Sequence, residues 1–249
     1  MTFSEVIVEK NNGVTTVTMN RPHALNAITP TMLTELKQAV DDAGSDLEIG
    51  VIVLTGMGRS FSSGVDLKVL GKLPLDKGGI GRVLDDPARA FIDTIQKVPK
   101  VVIAKVNGYC FTGALEIALA CDLVVVAEEA KCGDTHAKWG LRPTWGMSAR
   151  LPNAVGLRKA RELSFTAETF TGRDAVAWGI ANHAAPLAEL DAMVKTLTEK
   201  ILANSRGSIA AYKTLYNQGV GKTVAEAVEF EKNSRFVIED SHERIEKFR

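Results

Sequence analysis

The chain opens with two short segments in which apolar or β-branched residues alternate with polar ones. Residues 6–8 and 14–19 lie on either side of the dipeptide Asn12-Gly13. Asn-Gly between such segments favours a two-residue hairpin turn, because both residues tolerate a positive φ. The pattern therefore predicts an antiparallel hairpin.

Amphipathic segments then alternate with segments that are apolar throughout. Thr29-Pro30 has the residue types favoured at the cap and first position of a helix. Apolar residues at helical spacing predict helices at 30–43, 84–98 and 113–120. Uninterrupted apolar runs, typical of strands covered on both faces, lie at 51–54, 101–104 and 123–126. This alternation predicts right-handed βαβ crossovers and a mainly parallel sheet.

The last third of the chain has almost only helical patterns. They predict helices at 156–165, 172–178, 188–203, 207–219 and 223–247. No linker-like composition separates this part from the segments before it. We therefore expect one α/β core with a helical C-terminal region.

Composition and charge exclude several classes of protein. Of the 249 residues, 45% are hydrophobic and 24% are charged, which is typical of a globular chain. Thirty basic and thirty acidic residues cancel, so no whole-protein field would attract nucleic acid or an anionic membrane. No His, Asp or Glu cluster has the spacing of metal ligands. We expect no nucleic-acid, membrane or metal partner.

The cysteines and the N-terminus predict a cytoplasmic location. Three cysteines are too few and too scattered for a disulfide framework, and they fit buried thiols in a reducing compartment. The first residues lack the charged-then-apolar pattern of a signal peptide. The apolar stretch 101–127 is interrupted by polar and charged residues, so it does not fit a membrane-spanning helix.

The first chemical signal is a glutamate inside an apolar helix. Nearly every residue of 113–120 other than Glu116 is apolar, and a helix that is apolar all round is buried. Its neighbours three and four positions away carry no positive charge. A buried lone carboxylate is costly unless it is paired or its pKa is raised. Glu116 is therefore either the partner of a distant Lys or Arg, or a general acid/base in a cleft.

Two strand-to-helix corners provide the second signal. Gly113 lies where the apolar helix begins, so backbone N–H groups there lack helical partners. The loop 59–68 has the same design, since it follows a strand, turns at Gly64 and enters a helical segment. Corners on neighbouring strands can direct two N–H groups at one point, where they would hold an oxyanion.

Three motifs carry a family resemblance. Phe61-Ser-Ser-Gly-Val-Asp-Leu-Lys68 resembles the signature loop of the crotonase (enoyl-CoA hydratase/isomerase) superfamily. Asn107-Gly-Tyr, followed by Gly113-Ala-Leu-Glu116 and Cys121-Asp122, resembles its second signature. Arg21-Pro-His-Ala-Leu-Asn-Ala27 resembles its N-terminal coenzyme A contact motif. The three occur in the family's order, and the resemblance runs over essentially the whole chain.

The resemblance implies a fold and a division of the chain. The fold is an α/β structure with a crotonase-like ββα spiral core and a helical C-terminal region. The core would span 1–190, and residues 191–249 would serve oligomerisation and closure of the coenzyme A site. The family assembles as trimers or pairs of trimers, so we expect a homo-oligomer.

The resemblance also implies roles for individual residues. Backbone N–H groups of Val65 and Gly113 would form the oxyanion hole for a thioester carbonyl, and Glu116 would act as acid/base. No cofactor is expected, since coenzyme A is part of the acyl-CoA substrate. The residues expected to contact that substrate are His23, Ala24, Leu25, Ser63, Asp66, Leu67, Lys68, Phe236 and Phe248.

The sequence departs from the family at two places. Hydratases of the family carry a second glutamate about twenty residues after the first, and His136 occupies that position here. An imidazole exchanges protons near neutral pH, so His136 either replaces the glutamate or is only a wall of the pocket. If the backbone is extended there, Asp134 lies on the same side and could orient the ring. Trp145 and Met147 replace smaller residues, which predicts a reshaped acyl pocket.

The leading functional hypothesis is hydration of a 2-enoyl-CoA in fatty acid metabolism. Glu116 would activate the water, and His136 would supply or relay the second proton. One alternative is another crotonase-type reaction that uses Glu116 alone: double-bond isomerisation, thioester hydrolysis or decarboxylation. Another alternative is a non-catalytic acyl-CoA binder.

Overall fold

A computed structural model describes residues 3–72 and 78–247. Its strands are β1 (Val6–Asn11), β2 (Val14–Met19), β3 (Val51–Gly56), β4 (Ser60–Ser62), β5 (Val101–Val106), β6 (Tyr109–Phe111), β7 (Leu123–Ala127), β8 (Lys131–Gly133), β9 (Phe170–Thr171) and β10 (His183–Ala185). Its α-helices are α1 (Pro30–Ser45), α2 (Leu67–Leu70), α3 (Arg82–Lys97), α4 (Gly113–Ala120), α5 (Met147–Thr166), α6 (Gly172–Ala177), α7 (Leu190–Leu202), α8 (Arg206–Gly219), α9 (Val224–Asn233) and α10 (Ser241–Glu246).

The main sheet has the strand order β1-β2-β3-β5-β7-β10. β1 and β2 pair antiparallel through a turn in which Asn12 has φ 47° and Gly13 φ 78°, so the predicted hairpin is confirmed. The other neighbouring strands are parallel, as the alternating pattern predicted. The Thr29 hydroxyl accepts the N–H of Met32 at 3.0 Å, which confirms the predicted cap of α1.

A second, smaller sheet positions the candidate site. Its order is β4-β6-β8-β9, with strands of two or three residues. β4 falls in the segment that the sequence predicts as a loop, because a three-residue strand is too short to show periodicity. Since β4 and β6 pair in parallel, the chain leaves both strands on the same side. The two predicted corners follow these strands directly.

The C-terminal region is helical with three differences from the prediction. α5 spans Met147–Thr166 but is interrupted at Gly156, with φ 77° and ψ 155°, so the helical part after Gly156 matches the predicted helix at 156–165 and the part before it was not predicted. The predicted helix at 223–247 is two helices, since α9 ends at Asn233 and α10 begins at Ser241. Strands β9 and β10 are too short for the sequence pattern to predict.

The C-terminal helices are joined to the sheet by packing and by ion pairs, one of which has a buried lysine. α7 packs against β3, β7 and β10. In α8 the Lys213 ammonium lies 2.8 Å from the Asp122 carboxylate, which precedes β7. The division of the chain at residue 190 stays a prediction. Within 3–72 and 78–247, no helix is both long and apolar enough to cross a bilayer.

Candidate active site

The two predicted corners touch. Gly64 has φ 91°, and a Cβ built on it would lie 2.9 Å from the carbonyl oxygen of Phe111, so only glycine fits there. On the first corner, Ile28 donates its N–H to Gly64 and accepts the N–H of Asp66. The N–H of Val65, which lies between them, makes no hydrogen bond within the described residues.

The second corner contains a strained residue. Thr112, just before α4, has φ 53° and ψ −112°, a conformation that a residue with a Cβ adopts only at a cost. Its N–H donates to the Gly133 carbonyl at 2.9 Å, and its hydroxyl bonds the hydroxyl of Thr135. The residues at the end of β8 therefore hold Thr112 in place. Gly113 follows as the first residue of α4, where its N–H has no helical partner.

Val65 and Gly113 line one cavity of about 260 Å³ together with Glu116 and His136. The structure thus brings both corners, the carboxylate and the imidazole to a single place. The oxyanion-hole role of the two N–H groups stays a prediction.

Backbone groups, and not a distant cation, hold Glu116. The side chain is buried, and its Oε1 accepts the N–H of Trp145 at 3.0 Å and of Met147 at 2.9 Å. Met147 is the first residue of α5, so the carboxylate lies at the positive end of a helix. No Lys or Arg of the described ranges lies within salt-bridge distance of it, which excludes the alternative of a distant cationic partner there.

The environment of Glu116 changes its ionisation. Burial raises the pKa of this carboxyl group, and the two N–H groups and the nearby His136 offset only part of the rise. The Arg150 guanidinium also lies close enough for its charge to interact with Glu116, and it donates to the Trp145 carbonyl at 2.8 Å. A carboxyl group whose pKa is raised toward neutrality is suited to exchange protons.

His136 lies between two carboxylates. Its Nε2 is 3.6 Å from Glu116 Oε2, and its Nδ1 is 2.6 Å from Asp134 Oδ1. The Ser164 hydroxyl of α5 donates to the other Asp134 oxygen at 2.7 Å. The backbone at His136 is helical, with φ −53° and ψ −49°, so the extended conformation assumed from the sequence is wrong. The contact forms because Asp134 also accepts the His136 N–H in a tight local turn.

The pKa of Asp134 shows that its negative form is favoured. Burial alone would raise this pKa, but the hydrogen bonds from His136 and Ser164 outweigh it and lower the pKa below the ordinary range. Asp134 is therefore ionised at neutral pH.

Most of the remaining lining residues are apolar, and the polar ones are Ser63, Thr112, Arg142 and Thr144. Trp145 is buried against Gly113, where a Cβ would lie 2.5 Å from the indole ring. The indole N–H donates to Asp85 of α3 at 2.9 Å, and the Thr144 hydroxyl donates to the same oxygen at 2.6 Å. Other apolar lining residues are Leu67, Leu70, Ile80, Trp139 and Leu141. Met147 is buried behind Glu116 and is not among the lining residues.

The sequence missed Asp85, Thr112 and Ser164 as parts of this site. Asp85 lies in an amphipathic helix rich in charges, where its pattern is that of a surface residue. The strain at Thr112 depends on its backbone angles, which the residue type does not reveal. Ser164 meets Asp134 only because α5 folds back across the end of β8.

Of the residues expected to contact coenzyme A, some lie on the cavity and others lie beside it. Ser63 and Leu67 lie on the cavity, and Lys68 is exposed at the start of α2. The Asp66 carboxylate accepts the Lys68 N–H and forms a 3.0 Å ion pair with Arg21, so it braces the loop. His23, Ala24 and Leu25 form a neighbouring turn, whose last carbonyl accepts the Ser63 N–H at 3.0 Å.

Phe236 and Phe248 are the two C-terminal aromatics expected to contact the substrate. Phe236 lies between α9 and α10 and is partly exposed. Phe248 lies outside the described residues. Their contact with substrate stays a prediction. No group of three His, Cys, Asp or Glu residues in the described part of the chain could hold a metal ion.

A two-sheet α/β fold with a buried carboxylate, an imidazole and unpaired backbone amides on one cavity defines an acid–base enzyme. Residues 9–247 match the family model described as enoyl-CoA hydratase/isomerase. The chain belongs to this family.

Relatives named as hydratases cover nearly the whole chain. A probable peroxisomal enoyl-CoA hydratase of Arabidopsis thaliana is 34% identical over 93% of this chain and 86% of its own length. The short-chain-enoyl-CoA hydratase of Clostridium acetobutylicum is 31% identical over 93% and 88%. The crystal structure of an enoyl-CoA hydratase from Bacillus anthracis superposes with a TM-score of 0.87 at 26% identity, over 92% of this chain and 88% of that one. These similarities confirm the crotonase-type fold.

Proposed function

We propose that the protein adds water to the double bond of a 2-enoyl-CoA thioester. The observation that carries the proposal is the pair of Glu116 Oε2 and His136 Nε2, 3.6 Å apart, on the same cavity as Val65 and Gly113. Its relatives named enoyl-CoA hydratase support the same reaction.

The thioester oxygen would bind to the N–H groups of Val65 and Gly113. Attack at the β-carbon moves the electrons of the double bond toward this oxygen, which becomes an enolate. Loss of one comparable donor elsewhere costs about 3 kcal/mol of transition-state stabilisation. The strained Thr112 and the close contact at Gly64 fix the corners before substrate binds, so the donors need no reorganisation.

Glu116 and His136 would handle the two protons. The water oxygen forms a bond to the β-carbon, and the water proton passes to the Glu116–His136 pair. The pair gives one proton to the α-carbon, so it holds the same number of protons before and after the reaction. Coenzyme A arrives as part of the substrate, and this chemistry needs no further cofactor.

The remaining proposals concern the coenzyme A part of the substrate and the setting of the reaction. Coenzyme A would leave the cavity past Ser63 and Leu67, and Lys68 would meet a phosphate. The turn at 23–25 lies beside that path, because it bonds the Ser63 backbone. Phe236 and Phe248 would close the site. A cytoplasmic location and a role in fatty acid metabolism belong to the same proposal.

Loss of crotonyl-CoA absorbance tests the reaction. We expect wild-type protein to hydrate crotonyl-CoA and His136→Ala to do so about 100-fold or more slowly, because one partner of the proton transfer is removed. The matched control is His183→Ala, since His183 is exposed on β10, and it should keep the wild-type rate.

One outcome would contradict the role of His136, and another would contradict hydration itself. An undiminished rate in His136→Ala would make the imidazole a wall of the pocket. No turnover by wild-type protein would favour isomerisation, thioester hydrolysis, decarboxylation or simple acyl-CoA binding, which a screen of acyl-CoA thioesters would separate.

We also propose a homotrimer or a pair of trimers built through the C-terminal helices. Several large apolar side chains are exposed there: Tyr212, Tyr216, Val220, Val224, Val228, Phe236 and Val237. Covering them would remove apolar surface from water. Sedimentation velocity should give three or six times the chain mass of 26.8 kDa. Tyr216→Glu should lower that mass, and a wild-type monomer at micromolar concentration would contradict the proposal.

A further inference from the structure

Asp134 is a buried carboxylate behind the imidazole. It is not among the residues that line the cavity, so we expect it to make no contact with a substrate bound there. Its two oxygens are both used, one by His136 Nδ1 at 2.6 Å and one by the Ser164 hydroxyl at 2.7 Å. Ser164 lies in the part of α5 after the break at Gly156, and the part before the break begins at Met147, which donates its N–H to Glu116.

This contact fixes the tautomer of His136. An ionised carboxylate only accepts hydrogen bonds, so Nδ1 must carry the proton. The neutral ring then directs the lone pair of Nε2 toward Glu116 Oε2, 3.6 Å away. A carboxylate oxygen and an unprotonated nitrogen that face each other repel, unless one of them carries a proton.

The surrounding charges favour one proton on this pair. Burial opposes the negative form of Glu116, and the ionised Asp134 carboxylate lies 2.6 Å from His136 Nδ1 on the far side of the ring. Arg150 of α5 acts in the opposite sense, since its charge favours an ionised Glu116. The pair can therefore hold one proton in two arrangements, with neutral groups or with an ion pair.

We propose that Asp134, braced by Ser164, is a positioning residue that keeps His136 in the Nδ1–H form, so that Glu116 and His136 share one exchangeable proton. This inference rests on the proposed hydration, in which that proton is delivered to the α-carbon. A glutamate at position 136 would have no ring tautomer to fix. Asp134 is therefore needed as a positioning residue because this chain has an imidazole there.

The tautomer can be measured without any turnover. Nitrogen-15 NMR of histidine-labelled protein should show His136 protonated at Nδ1, and His136→Gln identifies its signals among the four histidines. Asp134→Asn should change the populated form, because an amide can also donate. An Nε2–H form in wild-type protein would overturn the proposal, whether or not the enzyme hydrates crotonyl-CoA.

Kinetics then tests the consequence. Asp134→Asn should lower kcat by about 100- to 10,000-fold and leave KM nearly unchanged, as loss of the orienting carboxylate does in other histidine enzymes. Ser164→Ala should lower it less, because the Asp134 contact to the ring remains. The matched control is Asp42→Asn, an exposed aspartate of α1.

Making Asp134→Asn also in the His136→Glu variant separates a positioning role of Asp134 from a role in folding alone. In His136→Glu, Asp134→Asn should raise the activity or leave it unchanged, because three neighbouring carboxylates repel one another. An equal loss from Asp134→Asn in both backgrounds would show that Asp134 serves only the fold, and would overturn the proposal.

Discussion

Glu116→Gln should hydrate crotonyl-CoA about 100- to 10,000-fold more slowly than wild-type protein, because the amide cannot exchange the proton. Its carbonyl oxygen can still accept the N–H groups of Trp145 and Met147, so the site should keep its shape. Glu168→Gln, at an exposed position after α5, should keep the wild-type rate. A Glu116→Gln rate within about threefold of wild type would remove Glu116 from the chemistry, since general acid–base catalysis contributes far more.

Because the pKa of Glu116 is raised, Glu116→Gln should lower the activity without lowering the free energy of unfolding. A carboxyl group whose pKa is raised on folding favours the folded state while it is protonated, and this contribution is lost as pH rises through the folded-state pKa. Ionised Glu116 therefore costs stability once the pH is above its folded-state pKa. Glu116→Gln removes that cost, so its free energy of unfolding in urea should equal or exceed that of wild type at alkaline pH. Lower stability together with lost activity would indicate misfolding.

Gly113→Ala should lose about 100-fold or more of the wild-type rate, because it displaces an oxyanion donor. The added Cβ would lie 2.5 Å from the Trp145 ring, and the indole bond to Asp85 prevents the ring from moving freely. Overpacking of this kind should also lower the free energy of unfolding by about 1–3 kcal/mol.

Two further variants interpret the Gly113→Ala result. Gly219→Ala, where the nearest atom is 3.7 Å away, should keep both activity and stability. Adding Trp145→Phe to Gly113→Ala should recover part of the stability, because the smaller ring relieves the contact. A Gly113→Ala protein with the wild-type rate would show that this corner does not hold the reacting oxygen.

The apolar pattern was sufficient for the strands of the main sheet other than β10, and for most helices. The Asn12-Gly13 turn, the Thr29 cap and the buried runs of β3, β5 and β7 all depend on neighbouring residues, so their signals are local. Glu116 was identifiable for the same reason, since its helix is apolar on every side. The break between α9 and α10 was missed, because the apolar spacing continues across a segment whose backbone is not helical.

By itself the sequence determined the alternation of strands and helices, the buried glutamate and the three motifs that place the chain in its family. Only the tertiary structure decided what surrounds that glutamate: the second sheet that joins the corners, the Trp145 and Met147 N–H groups on its carboxylate, and the brace that Ser164 gives Asp134. The physical reason is the sequence separation of the interacting residues, because periodicity and helix caps depend only on residues that are close in the sequence. The bonds of Trp145 to Glu116 and Asp85, and of Ser164 to Asp134, join residues 29 to 60 positions apart, which meet only once the helices have packed.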